Sequence, residues 1–400
     1  MDTADFPKQP PATMLWRSTN GGRSWSFVSD PMRMVGGLSD LPAGYDSDVA
    51  VATAPEGNHP PLIYVVSNWA GSIELAISED NGHSWVTSSL NGFVATDRPW
   101  LAASGPCTLY MSIHPLTGAF DVASEPVVAK YNGCQILAAA KAGQSIAIPK
   151  RVTPVEPLTQ DVAATDQDFA KLRIVGSSIY QPYVTCDSDP ATNLSCNGRA
   201  DVETLAVAVS HNEGASFEDV PVATGHMGIN LNDGTWPLSL AVDSHGLAVI
   251  VADTGYSLWT FVSHNSGMSW KERLPIDAGL HWSFAGVPSV AASNTSYSVG
   301  WYASPPAVPN HSQRWFLATA LVQGNAAPTI TVLPTELATT PYNTPLADTL
   351  SESFGAALVH GHQVFVYTQS CAVAAAALHG CPEPPTGPGR QLVVRWAWIS

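Results

Sequence analysis

One eight-residue pattern recurs along this 400-residue chain and limits its fold more than any other feature. The pattern begins with serine, has Asn or Asp at its third position and glycine at its fifth, and ends in serine followed by an aromatic residue. Four good copies and one decayed copy begin at Ser18, Ser78, Ala139, Ser210 and Ser263. They lie 60, 61, 71 and 53 residues apart. Such near-constant spacing predicts one structural unit repeated along the chain.

The chemistry of the pattern is that of a tight hairpin. A short Asx side chain such as Asp80 can accept hydrogen bonds from backbone N–H groups ahead of it. The glycine two residues later, Gly82 in this copy, can adopt the positive φ that other residues resist. The aromatic residue that follows, here Trp85, begins the return strand and can pack against a neighbouring sheet.

A second periodic element lies between these turns. It is a short strand of small apolar residues, which suits the place where sheets converge on a central axis. We assign six such innermost strands, at 48–52, 99–103, 172–176, 238–242, 288–292 and 355–359. The sequence therefore predicts an all-β chain, with six four-stranded antiparallel blades in one domain spanning residues 1–400. Seven blades remain the alternative, because the C-terminal strand and the first turn could belong to different sheets.

The repeated turn resembles the Asp box of sialidase-like propellers, which are also called bacterial neuraminidase repeat proteins. The resemblance covers nearly the whole chain and implies a β-propeller whose Asx residues are structural. In that family three arginines bind the substrate carboxylate, a Tyr–Glu pair supplies the nucleophile, and an Asp is the acid/base. The first arginine normally lies in a Phe/Tyr-Arg-Ile-Pro motif, which this chain lacks, and this argues against a true exo-sialidase. The resemblance leaves Arg98, Arg173 and Arg314 as substrate-binding candidates and Tyr302 as the candidate nucleophile, with a core tyrosine as its alternative.

The loops that lead into the inner strands carry the other candidates, since they would line an axial funnel. Asp48, Asp97 and Glu352 are the predicted catalytic carboxylates, because acid/base work on a glycosidic bond needs such groups. Aromatic and imidazole side chains could stack on sugar rings, and for these we name Trp100, Trp236, His281 and Trp282. The alternative interpretation is that each Asp caps a turn and each Trp fills space between blades.

Composition limits the compartment and the partners. A formal charge of −16 disfavours phosphate backbones, so we expect no nucleic-acid partner. The six cysteines form three neighbouring couples, which predicts the disulfides Cys107–Cys134, Cys186–Cys196 and Cys371–Cys381, with free buried thiols as the alternative. Disulfides indicate an oxidising compartment, extracellular or periplasmic. Residues 1–6 lack the features of a signal peptide, so we expect the chain to begin after a removed export signal.

Two functions remain open at this stage. One is an exported carbohydrate-active enzyme, a glycoside hydrolase or related lyase. The other is a non-catalytic propeller that binds a glycan or protein through the same funnel. Neither requires a cofactor, and no cluster of residues has metal-ligand spacing, so no metal is expected. No apolar run is long enough to span a membrane, and nothing in the sequence indicates the oligomeric state.

Overall fold

The computed structural model describes most of the chain. The described residues are 13, 15–32, 47–54, 59–69, 72–90, 96–115, 126–144, 149, 151–155, 168–186, 203–225, 238–253, 257–272, 275–276, 284–305, 312–340, 350, 355–370 and 392–399. Among them, none of the helical segments has the length and apolar character that a membrane crossing requires.

The fold is all-β, a six-bladed β-propeller with antiparallel blades, which confirms the prediction of six blades over seven. The described residues form six sheets of three or more strands and one separate N-terminal hairpin. The residues cluster in two compact units. Unit A comprises Lys8–Gln181 and Val207–Asp219, and unit B comprises Met1–Pro7, Pro182–Ala206 and Val220–Ser400. Whether residues 1–400 behave as one domain stays a prediction.

Unit A contains the hairpin and the first two sheets. The hairpin is β1 (Leu15–Arg17) and β2 (Ser26–Ser29). Sheet 1 has the order β3 (Ser47–Val51), β4 (Ile63–Trp69), β5 (Ser72–Ser78), β6 (Val86–Ser89). Sheet 2 has the order β7 (Thr96–Ser104), β8 (Thr108–Pro115), β9 (Val127–Asn132), β10 (Arg151–Pro154), with helix α1 (Gly133–Lys141) following β9 in the chain.

The strands of sheet 3 include residues assigned to unit A and residues assigned to unit B. Its strands are β11 (Asp168–Phe169), β12 (Arg173–Val175), β13 (Ser178–Cys186), β14 (Glu203–Ser210) and β15 (Glu218–Gly225). Both β11 and β12 pair with β13, so the first strand of this sheet is interrupted between Phe169 and Arg173.

Unit B contains the remaining three sheets, each in sequential strand order. Sheet 4 is β16 (Leu238–Val242), β17 (Ala248–Asp253), β18 (Leu258–Ser263) and β19 (Lys271–Glu272). Sheet 5 is β20 (Phe284–Ser293), β21 (Ser296–Ser304), β22 (Gln313–Gln323) and β23 (Thr329–Thr340). Sheet 6 is β24 (Gly355–Val359), β25 (His362–Ser370) and β26 (Leu392–Ile399).

The repeated turn folds as predicted from its chemistry. In the second copy Asp80 Oδ1 accepts the Ser84 N–H at 2.8 Å. The Ser78 hydroxyl accepts the Gly82 N–H at 2.8 Å and donates to Asp80 at the same distance. Gly82 has φ +88°, and Asn81 before it also has a positive φ, +60°. The Trp85 ring packs against the hairpin, where its indole N–H donates to the Ser29 hydroxyl at 2.7 Å.

The decayed copy, which begins at Ala139, does not form this turn, which corrects its interpretation as a repeat. It coincides with the end of α1, whose last turn closes on Gly143. Gly143 N–H donates to the Ala140 carbonyl, and Gln144 N–H to the Ala139 carbonyl, the pattern of a Schellman cap. The physical reason is local, since this copy lacks the serine and the Asx that bond the turn and is rich in alanine, which favours helix.

Apolar side chains fill the space between consecutive sheets within each unit. In unit A the main cluster includes Tyr64 and Leu75 from sheet 1, Met111 and Tyr131 from sheet 2, and Ile136 from α1. In unit B sheets 4 and 5 share one cluster around Trp301, and sheets 5 and 6 share another around Trp315 and Phe365. Sheets 1 and 2, sheets 4 and 5, and sheets 5 and 6 therefore share apolar cores, as stacked blades require.

The six predicted inner strands correspond to β3, β7, β12, β16, β20 and β24. Five of them are edge strands of their sheets, and β12 pairs with β13 next to β11. Within unit A, β3 contacts β7 and β7 contacts β12. Within unit B, β16 contacts β20 and β20 contacts β24. Two of these strands carry a matching β-bulge, between Asp97 and Trp100 in β7 and between Gly286 and Ser289 in β20. Both bulges contain a proline, which lacks the N–H that a regular ladder needs.

Candidate functional site

Asp48, on the second residue of β3, is the best-defined of the predicted site residues. Its carboxylate Oδ2 accepts the backbone N–H of Leu101 in β7 at 2.7 Å. Its Oδ1 accepts the Lys171 ammonium at 2.5 Å. The Asp48 side chain is only 9% exposed and that of Lys171 is 30% exposed. The carboxylate is thus held on one side by sheet 2 and on the other by the segment that leads into β12, all within unit A.

Lys171 lies at the interruption between β11 and β12. The Gln181 side chain of β13 is fully buried there and donates to the Ala170 carbonyl at 2.7 Å. This bond satisfies a carbonyl at the break in the strand, since buried backbone groups need partners. The break leaves Lys171 outside the ladder, and its ammonium reaches both Asp48 and the Val49 carbonyl, the latter at 3.2 Å.

Arg173 is the second basic residue of this cluster, and it was predicted as a substrate-binding residue. Burial lowers the pKa of Arg173, and the negative charge of Asp48 opposes that lowering. Burial also lowers the pKa of Lys171; the Asp48 charge and hydrogen bond raise it, and the Arg173 charge lowers it further. The structure therefore brings together two of the predicted residues, because Arg173 interacts electrostatically with the buried carboxylate of Asp48.

Unit B contains an uncharged counterpart of this arrangement. Ser239 is the second residue of β16, as Asp48 is of β3, and its hydroxyl accepts the Val290 N–H of β20 at 3.1 Å. Val290 directly follows the bulge in β20, as Leu101 directly follows the bulge in β7. A neutral hydroxyl is therefore sufficient to join two first strands at this position. The buried charges at Asp48 go beyond what that structural role demands.

The bulge in β7 carries three of the predicted residues. The backbone of Asp97 pairs with His114, and Arg98 and Trp100 belong to the same strand. Trp100 is half-buried and precedes Leu101, whose N–H binds Asp48. The side chains of Asp97 and Arg98 lie outside the described residues, so their catalytic and substrate-binding roles stay predictions.

Tyr302 lies elsewhere, in the core of unit B between sheets 5 and 6. Its side chain is fully buried, and its hydroxyl accepts the Thr368 N–H at 3.0 Å and lies 3.1 Å from the Thr368 hydroxyl. Burial raises its pKa to about 12; the Thr368 hydrogen bonds oppose this shift, and the nearby Tyr367 adds to it. These features match the alternative interpretation, a core tyrosine, and its role as nucleophile stays a prediction without support from this geometry.

Arg314 is a surface residue of β22. Its Nε donates to Glu336 Oε2 at 2.6 Å, and its guanidinium lies 5.2 Å from the centre of the Phe316 ring. The arginine is thus already paired with a carboxylate of its own sheet. The remaining predicted site residues, Glu352, Trp236, His281 and Trp282, lie outside the described residues and stay predictions.

One predicted disulfide is confirmed. Cys107 and Cys134 are bonded, which joins the β7–β8 turn to the first turn of α1. The side chains of Cys186, Cys196, Cys371 and Cys381 lie outside the described residues, so the other two disulfides stay predictions.

Lys171 is the site residue that sequence reasoning missed. A usable signal was present, because Lys171 and Arg173 are two residues apart and Lys+Arg total only 17 in the chain. In extended chain, residues i and i+2 lie on the same side. The predicted strand began at Leu172, so only Arg173 was counted.

Chemically, the site presents one carboxylate whose Oδ1 accepts the Lys171 ammonium and which interacts electrostatically with Arg173. An ionised carboxylate in such a setting can act as a base toward a hydroxyl or water, or stabilise a developing positive charge. Among the described residues there is no cluster of three or more potential metal ligands.

No protein-family model matches the sequence, and no curated protein matches it. Several solved structures are similar in fold. A Trypanosoma rangeli sialidase in complex with sialic acid has 9% identity and a TM-score of 0.44, over 90% of this chain and 55% of that one. The GH93 α-L-arabinofuranosidase of Fusarium graminearum with arabinobiose has 12% identity and a TM-score of 0.46, over 73% of this chain and 80% of that one.

The endosialidase of phage phi92 has 9% identity and a TM-score of 0.45, over 97% of this chain and 62% of that one. This chain therefore spans little more than half the length of the two sialidases. At such identities and TM-scores the likeness carries no argument about chemistry, which has to come from the residues of this chain.

Proposed function

We propose that this chain is an exported carbohydrate-active β-propeller, a glycoside hydrolase or related enzyme, with Asp48 as an acid/base residue. The observation that carries the proposal is the buried Asp48 carboxylate, held between Leu101 N–H and Lys171. The sugar class of ligand comes from the resemblance of the repeated turn to sialidase-like propellers.

The cost of burying the charge supports a role beyond structure. A buried ion pair recovers its desolvation cost poorly, and apolar or neutral replacements are often as stable. Ser239 fills the corresponding place in unit B with one neutral hydrogen bond. Because perturbed and buried charged groups cluster at functional sites, the aspartate, lysine and arginine are better explained by chemistry than by packing.

Hydrolysis of a glycosidic bond generally needs a second carboxylate about 5–9.5 Å from the first. Asp97 is our first choice, since it lies on β7, the strand that binds Asp48 through Leu101. Glu352 is the second choice. Arg98, Arg173 and Trp100 would then contact the substrate, and Trp236, His281 and Trp282 stay predicted substrate-binding residues.

Export is supported by the Cys107–Cys134 disulfide, because such bonds persist mainly in oxidising compartments. We infer from it that the protein acts outside the cytosol, where glycans of cell surfaces and polymers would be the available substrates.

The test is turnover of a panel of aryl glycosides that includes a sialoside and an α-L-arabinofuranoside, by wild type and by Asp48→Asn. Loss of a general acid/base should lower turnover by about 10²- to 10⁴-fold. Asp80→Asn is the matched control, since Asn20, Asn212 and Asn265 hold the same place in the other turns, and it should retain wild-type turnover. Full activity in Asp48→Asn would remove Asp48 from the mechanism.

A non-catalytic glycan- or protein-binding propeller is the second candidate. It is favoured by one observation, that both oxygens of the Asp48 carboxylate already have donors and the side chain is only 9% exposed. This candidate predicts no turnover on the panel and retention of the protein on a glycan array. Retention that Asp48→Asn weakens would assign the same residues to binding.

A further inference from the structure

Lys171 binds two consecutive residues of β3 at once. Its ammonium donates to the Asp48 side chain at 2.5 Å and to the Val49 carbonyl at 3.2 Å. An ammonium has three donors and no preferred plane, so two acceptors on one strand limit where it can lie. The lysine therefore fixes its own position and that of the carboxylate together.

The second oxygen of Asp48 is held independently. Leu101 N–H belongs to the ladder edge of β7 and binds Oδ2 at 2.7 Å. One oxygen of the carboxylate is thus hydrogen-bonded by Leu101 of sheet 2, and the other by Lys171, which precedes β12. Removing the lysine would leave the carboxylate with the Leu101 hydrogen bond and the non-directional attraction of Arg173, so its plane could rotate about the Leu101 bond.

Two other lysine pairs among the described residues of unit A are of a different kind. Lys141 binds Glu79 at 2.5 Å, with the two side chains 47% and 49% exposed. Lys130 pairs with Glu213, whose side chain is 59% exposed. Exposed pairs of this sort contribute little to stability. Of these three pairs, the one formed by Lys171 is the only one in which the carboxylate side chain is largely buried.

The counterpart in unit B shows which part of the arrangement is structural. There the Ser239 hydroxyl accepts the Val290 N–H, and no lysine or arginine is recorded at that hydroxyl among the described residues. The bond to the neighbouring first strand is common to both units. Lys171 is present only in unit A, where the residue at this position is the aspartate Asp48 and not a serine, of the two arrangements compared.

We propose that Lys171 is a positioning residue for Asp48, holding the carboxylate in the single orientation in which it meets the substrate. The inference rests on the proposed function, because positioning matters only if Asp48 acts on a ligand. Lys171 acts through Asp48 and needs no contact with substrate. The break in the first strand of sheet 3, closed by Gln181, is what places the lysine there.

The experiment compares Lys171→Met, Lys171→Arg and Lys141→Met with wild type. Lys171→Met keeps most of the length of the side chain and removes its charge. Lys171→Arg keeps the charge, and Lys141→Met removes a surface pair. The first readout is the rate at which carbodiimide and glycine ethyl ester modify Asp48, followed by peptide mass spectrometry. We expect Asp48 to be modified at least 5-fold faster in Lys171→Met, and at the wild-type rate in the other two variants.

The second readout is turnover of the glycoside that wild type cleaves best. Lys171→Met should lower kcat at least 10-fold with KM changed less than 3-fold, and Lys171→Arg should recover most of that loss. A merely structural lysine would lower thermal stability without this split between kcat and KM. Equal modification rates in all four proteins would overturn the proposal.

The two proposals fail in different ways. If wild type cleaves nothing, the proposed enzymatic function fails, while the modification rates still decide whether Lys171 orients Asp48. If wild type is active and Lys171→Met is fully active with unchanged modification, positioning by Lys171 fails and the proposed function stands. Should Lys171→Met not fold, a Lys171→Arg protein with an Asp48 modification rate unlike wild type would overturn the inference.

Discussion

The hydroxyl of Tyr64 lies directly against Gly133, so that a Cβ atom on that glycine would be 1.9 Å from the phenolic oxygen. Gly133 is the first residue of α1, after the Asn132 N-cap, and Tyr64 comes from the adjacent sheet 1. Among the described residues the Tyr64 hydroxyl has no hydrogen-bond partner. The close approach of helix and sheet thus depends on the absence of a side chain at one position.

Gly133→Ala should therefore destabilise the protein, although alanine is the better helix former. The helical preference would contribute up to about 1 kcal/mol in favour, whereas forcing a methyl group into a filled core costs about 1–3 kcal/mol. We expect a net loss of about 1–2 kcal/mol in the free energy of unfolding, measured by urea denaturation.

Tyr64→Phe provides the control for this contact. Alone it should be neutral or slightly stabilising, because it removes a buried hydroxyl that no described residue hydrogen-bonds. Combined with Gly133→Ala it should restore only part of the loss, since ring carbons would still lie 2.6 and 2.8 Å from the new Cβ. Strict additivity of the two substitutions would contradict the contact.

The Cys107–Cys134 disulfide should be a major source of stability in unit A. It closes a segment with a sequence separation of 27 residues, for which the chain-entropy model gives about 3.5 kcal/mol. We expect dithiothreitol to lower the unfolding free energy of wild type by about that amount. The double variant Cys107→Ala/Cys134→Ala should start lower and respond less to reductant; an equal response would mean that another disulfide dominates.

Asp80 should make the free energy of unfolding depend on pH in the acid range. Burial opposes its ionisation, but hydrogen bonds from Ser84, Ser78 and the His83 N–H together outweigh this and lower its pKa to about 2. Because the folded-state pKa lies below the unfolded value of about 3.9, the contribution is present above pH 4 and is lost as pH falls towards 2. For a solvent-screened group we expect about 1 kcal/mol.

Asp80→Asn should lose this acid dependence and keep its stability near neutral pH. In the third turn Asn212 donates through Nδ2 to the Ser216 hydroxyl at 2.9 Å, whereas Asp80 accepts from Ser84. Asn212→Asp should gain the dependence in return. Urea denaturation at pH 2.5, 3.5 and 5 measures both; equal pH slopes in wild type and both variants would refute the assignment.

Tyr302→Phe separates the two interpretations of that tyrosine. The substitution leaves the Thr368 N–H without its acceptor, which should cost about 1–3 kcal/mol of stability. A core tyrosine predicts unchanged turnover on any glycoside that wild type cleaves, whereas a nucleophile predicts loss to background. Spectroscopic titration should show the wild-type phenol ionising near pH 12, the value to which burial raises its pKa.

Local chemistry made the repeated turns predictable. Ser, Asx and Gly at fixed positions satisfy one another within eight residues, so Ser78, Asp80 and Gly82 needed no distant partner to define their conformation. The positive φ of the residue before that glycine, seen at Asn81, Glu213 and Ser266, was not foreseen, because the residue type at this position differs from copy to copy. The decayed copy was wrongly predicted as a turn because its spacing along the chain matches the repeat. It has Ala139 and Lys141 where the other copies have the serine and the Asx that hydrogen-bond the turn.

The sequence by itself determined the conformation of the good turns and the position of most first strands, and it favoured six blades and the Cys107–Cys134 pairing, because periodic turns and short apolar strands are encoded over short distances. Only the tertiary structure decided that Lys171 meets Asp48 across 123 positions of chain, that Tyr302 lies in a core, and that Ser239 is the neutral counterpart of Asp48. Such contacts depend on how neighbouring sheets approach and where a strand breaks. No short stretch of residues contains that information.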